Sequence, residues 1–73
     1  MLTLEKFVRM RIQVYEILNG REPMTLMEIG VTMGITTEEE LRNLEQVLDG
    51  LAVENSNNVY RYIRNNEVYY CVI

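Results

Sequence analysis

Thr25-Leu26-Met27-Glu28-Ile29-Gly30, followed after Met33 by Gly34-Ile35-Thr36-Thr37 and then by Glu38-Glu39-Glu40-Leu41-Arg42-Asn43-Leu44, is the stretch that decides the fold. It reads as a helix, a tight turn and a second helix. Thr25 with Glu28 fits a capping box, in which each side chain reaches the other's backbone amide, and Leu26, Ile29 and Met33 form a short apolar stripe. Gly34 ends this helix. Thr37 with Glu40 repeats the box, and Leu41, Leu44, Val47, Leu48 and Leu51 supply the apolar face of the next helix, which is expected to stop at Asp49-Gly50.

On the N-terminal side, Thr3 caps a helix that runs through Leu18 and stops at Asn19-Gly20, where glycine takes the left-handed cap conformation cheaply. Projected at 100° per residue, the apolar positions of this helix fill an arc of roughly 220°, too wide for one core face. A second side is therefore expected to be buried, most simply against a copy of the same helix, with Val8 and Ile12 as the outward positions. Arg11 falls inside the apolar arc, either snorkelling to its edge or pairing across such an interface. Arg21-Glu22-Pro23 then breaks the chain, because proline cannot continue a helix.

On the C-terminal side, a short extended piece is expected at Leu51-Ala52-Val53, then a polar turn at Asn55-Ser56-Asn57-Asn58. Val59 to Arg64 and Glu67 to Val72 are rich in valine, isoleucine and tyrosine, and Asn65-Asn66 between them suits a two-residue turn that needs positive φ. That turn sets the register: Arg64 opposite Glu67, Tyr62 opposite Tyr69, Tyr60 opposite Cys71. Tyr60, Tyr62 and Tyr69 then share one face. If Val59, Ile63, Val68 and Val72 pack on the helices, the tyrosines form an exposed aromatic patch suited to protein contact or base stacking; the other reading packs them inward with hydroxyls at the rim.

Composition narrows the function classes. A chain of 73 residues, 48% apolar, supports one domain over residues 1–73 and leaves no room for an enclosed active site. No enzyme, metal, cofactor or small-molecule ligand is expected. The Glu38-Glu39-Glu40 run lies in a helix's first turn, where carboxylates favour the dipole, and neighbouring carboxylates on a helix diverge too far for a metal or an acid/base pair. Cys71 has no histidine in the chain to act as its base and reads as a packed strand cysteine; the five methionines read as core fillers. No stretch is long enough to span a bilayer and no signal peptide is visible, so a cytoplasmic location is expected.

The net charge of −4 is unevenly spread. Residues 1–21 carry Lys6, Arg9, Arg11 and Arg21 against Glu5 and Glu16, a net of +2. Residues 22–58 hold eight carboxylates against Arg42, a net of −7, and residues 59–73 hold Arg61 and Arg64 against Glu67, a net of +1. Any phosphate-binding surface belongs to the two ends.

The order helix, helix, helix, hairpin, with Thr25 to Gly30 and Met33-Gly34-Ile35-Thr36-Thr37 around the turn, resembles the winged helix-turn-helix superfamily over nearly the whole chain. The resemblance implies an α+β fold with a C-terminal β-hairpin wing, and implies a DNA-binding transcription regulator, here dimeric through the first helix. Residues 37–49 would stand where the recognition helix stands, with Glu38, Glu39, Arg42, Asn43, Gln46 and Asp49 facing outward. Duplex DNA would then meet Lys6, Arg9, Arg61 and Arg64 as basic contacts and Arg42, Asn43 and Gln46 as readers. The sequence departs from the DNA-reading pattern in the carboxylates of that helix, which leaves an alternative: a protein-interaction module using Tyr60, Tyr62 and Tyr69 or the acidic helix.

Overall fold

The computed structural model describes residues 2–54 and 58–73. It is α+β, with three helices and a three-stranded antiparallel sheet: α1 (Leu4–Leu18), β1 (Met24–Thr25), α2 (Leu26–Thr32), α3 (Glu38–Glu54), β2 (Val59–Arg64) and β3 (Glu67–Val72), in sheet order β1-β3-β2. Local chemistry sets most boundaries. Thr3 caps α1 by accepting from the Lys6 amide, and both halves of the Thr25/Glu28 capping box form at the start of α2. Gly34, at φ 76°, closes α2 with a two-bond cap: its amide reaches the Val31 carbonyl at 3.0 Å and the Ile35 amide reaches that of Gly30 at 2.9 Å.

At the head of α3 only half of the expected box forms. The Glu40 amide donates to Thr37 Oγ1 at 3.2 Å, but the Glu40 carboxylate accepts instead from Lys6 Nζ at 2.6 Å. A cation from α1 thus replaces the return bond to the cap. The helix also runs past its expected stop. Gly50 lies within α3, and residues 51–53, expected to be extended, are helical. Leu51 explains the continuation: it is buried on the same face as Leu44, Val47 and Leu48, so prolonging the helix completes the core.

The core gathers Met10, Val14 and Leu18 of α1, Ile29 of α2, the four α3 residues just named, Val59 and Tyr70. Gly30 is buried where α2 meets α3; a Cβ there would lie 2.9 Å from Leu41 Cδ1, so a larger residue would make the Leu41 side chain shift. The β2–β3 register is the one read from the sequence, from Arg64 opposite Glu67 to Val59 opposite Val72, and Asn65 and Asn66 both take positive φ. Of the expected polar turn, Asn55, Ser56 and Asn57 lie outside the described residues, while Asn58 has φ 60° and its carbonyl accepts from the Ile73 amide. The sheet gains a strand that the sequence did not announce. Met24 and Thr25 pair with Tyr70 and Tyr69, joining the hairpin to the entry of α2.

Candidate interaction surface

Alternation along β2 and β3 puts Val59 and Tyr70 into the core, with Val68 and Val72 packed beside them. Ile63, expected on the same inner side, is 65% exposed, because the hairpin extends beyond the helices toward its tip. The opposite face is the one that carries tyrosine. Tyr62 and Tyr69 stack with ring centroids 5.7 Å apart and planes 18° from parallel, and Tyr60 lies exposed on the same strand two residues earlier. Of the two readings of this face, the outward one holds, with Tyr60 and Tyr62 exposed and Tyr69 half-buried in the stack. Arg64 and Glu67 continue it toward the turn.

The cations expected to contact phosphate are mostly engaged within the chain. Lys6 is tied to Glu40, Arg9 to Glu5 at 3.0 Å, Arg42 to Glu38 at 2.9 Å, and Arg61 Nε lies 3.5 Å from Asp49 Oδ1. The pairs within one helix are well exposed and weak, of order 0.3–0.5 kcal/mol, whereas Lys6–Glu40 joins two elements and is part-buried. Arg64 is exposed and in no ion pair among the described residues. On α3, Gln46 faces solvent as expected.

Asn43 does not. Expected outward as a reader of bases, it is 5% exposed, and its amide Nδ2 has no hydrogen-bond partner among the described residues. The physical reason is angular: Asn43 stands four residues before the fully buried Val47, about 40° from it around the helix, so polarity and position conflict and position wins. Asp49 is also drawn inward, accepting from the Tyr70 hydroxyl at 2.6 Å. What remains facing out on α3 is Glu38, Glu39, Arg42, Glu45 and Gln46, a surface dominated by carboxylates.

The link from Asp49 to β3 leaves one signal in the sequence, that Tyr70 alternates to the same face as Arg61, directly across from it. Among the described residues no cluster of three or more carboxylates or thiols is placed to hold a metal, and no helix is long and apolar enough to cross a membrane. No family model, no curated protein and no solved structure matches the chain.

Proposed function

We propose that the chain is a winged helix-turn-helix domain acting as a protein-interaction module, with the tyrosine face of its hairpin as the contact surface. The winged-helix reading is supported by the element order and by the glycine-capped turn between α2 and α3. The observation that carries the function is the stacked Tyr62–Tyr69 pair beside Tyr60 on the sheet face turned away from the core. Tyrosine is enriched at protein interfaces because it offers a large rigid apolar surface with one polar end.

The acidic face of α3 favours the same reading. A helix entering a groove meets phosphates on both sides, and Glu38, Glu39 and Glu45 would each be repelled there. A second reading, a DNA-binding transcription regulator, is favoured by one observation: Arg64 is exposed beside the Asn65-Asn66 tip, without an ion-pair partner among the described residues, where it could reach a phosphate backbone. The two are separated by using the wild-type chain and a Tyr60→Ser/Tyr62→Ser variant as baits in extract of the source cell. The proposed function expects a protein retained by wild type after nuclease treatment and lost with the variant. Retention of nucleic acid alone, equal for both baits, contradicts it.

A further inference from the structure

One face of α1 is apolar and uncovered: Leu4 is 79% and Ile12 51% exposed, with Val8 and Tyr15 also open to solvent. Spaced 4, 4 and 3 residues apart, they form a single stripe along the helix, turned more than about 110° from the buried Met10 and Val14 and meeting Leu18 only at its edge. The stripe has a cation on one edge and a carboxylate on the other. At 100° per residue, Arg11 falls about 55° to one side of the stripe's centre and Glu16 about 85° to the other. Arg11, Ile12, Tyr15 and Glu16 line one open depression, and neither charge is in an ion pair with another described residue.

We propose that this stripe is covered by a second copy of the chain, with the two α1 helices parallel and Arg11 of each copy paired with Glu16 of the other. The charges decide both partner and direction. A two-fold axis parallel to the helices brings the Arg11 edge of one copy against the Glu16 edge of the other, whereas an antiparallel two-fold brings Arg11 to Arg11 and Glu16 to Glu16. The five-residue offset from Arg11 to Glu16 is the one that joins flanking positions across a parallel coiled-coil seam, with Val8, Ile12 and Tyr15 at the seam positions between them. The Arg11 and Glu16 edges are complementary to one another only in the parallel arrangement.

Sedimentation equilibrium tests the pairing. Wild type is expected to dimerise, Arg11→Glu and Glu16→Arg each to weaken the dimer about tenfold, and the double exchange to restore it to within about threefold. In an antiparallel dimer the single exchanges replace one like-charged contact by another and leave affinity unchanged. A second measurement, independent of affinity, oxidises an Ile12→Cys chain in a Cys71→Ser background: the parallel seam places residue 12 opposite itself and gives a disulfide-linked dimer. A wild type that stays monomeric at about 1 mM, single exchanges without effect, or a dimer that forms no such disulfide overturns the proposal.

Discussion

The Tyr70 hydroxyl donates to the Asp49 carboxylate at 2.6 Å, and through this bond the hairpin is fastened to the last third of α3. Arg61, directly across from Tyr70 on β2, approaches the same carboxylate at 3.5 Å. One buried phenol and one half-exposed acid thus hold together elements that the chain separates by the whole segment from the end of α3 to β3.

Tyr70→Phe keeps the ring in the core and removes the bond. The expected cost is about 1–3 kcal/mol, measured by urea denaturation at neutral pH. Burial first, and the Asp49 carboxylate second, raise the phenol above its ordinary range. A phenol titrates near pH ~10 in the unfolded chain and higher in the fold, so its contribution is complete below pH ~10 and is lost as the pH rises beyond it. The alkaline fall in stability should therefore be shallower in Tyr70→Phe than in wild type.

Gly50→Ala discriminates between a helix that stops at residue 49 and one that continues. A Cβ at Gly50 meets nothing within 4 Å, and the residue lies inside α3. Alanine should stabilise the fold by about 0.5–1 kcal/mol, seen as a higher denaturation midpoint. If Gly50 were a left-handed cap, the same change would destabilise.

Asn43→Leu removes a buried amide whose Nδ2 has no hydrogen-bond partner among the described residues. An unsatisfied buried donor costs about 1–3 kcal/mol, so the variant should melt at a higher temperature than wild type. A lower melting temperature would mean that the amide is engaged in solution.

What could be read from the sequence was local. Thr25 with Glu28, Gly34 and the Asn65-Asn66 pair each act within a few residues, and the hairpin register followed from the turn and the two-residue strand period. Contacts between distant segments were not legible. The two residues of β1 are too few to show a period, and their partner lies on the last strand. Lys6 and Glu40 are 34 residues apart, so nothing local showed that Lys6 is occupied or that the second capping box would lose its return bond. Asp49-Gly50 reads locally as a stop, yet burial of Leu51 outweighs one glycine's propensity cost of about 1 kcal/mol. The tyrosine face was found by alternation, but which side met solvent depended on the helices.

The proposed dimer along α1 and the proposed contact through the hairpin use different surfaces, so they should separate by mutation. Ile12→Glu should yield a monomer whose circular dichroism matches that of wild type, because Ile12 is half-exposed and outside the core. Tyr60→Ser/Tyr62→Ser should leave the dimer intact and abolish capture of the protein partner. Loss of both properties in either variant would mean that the two surfaces are one.

Whether this fold presents itself to protein rather than to DNA is decided by titrating a mixed-sequence duplex with the wild-type chain at about 50 mM and about 200 mM salt. No saturable binding is expected at either concentration, because α3 faces outward with carboxylates and four of the chain's seven cations are held in ion pairs with its own acids. Saturable binding that tightens as salt falls, and that weakens for all sequences alike when Arg61 and Arg64 are replaced by alanine, would contradict it.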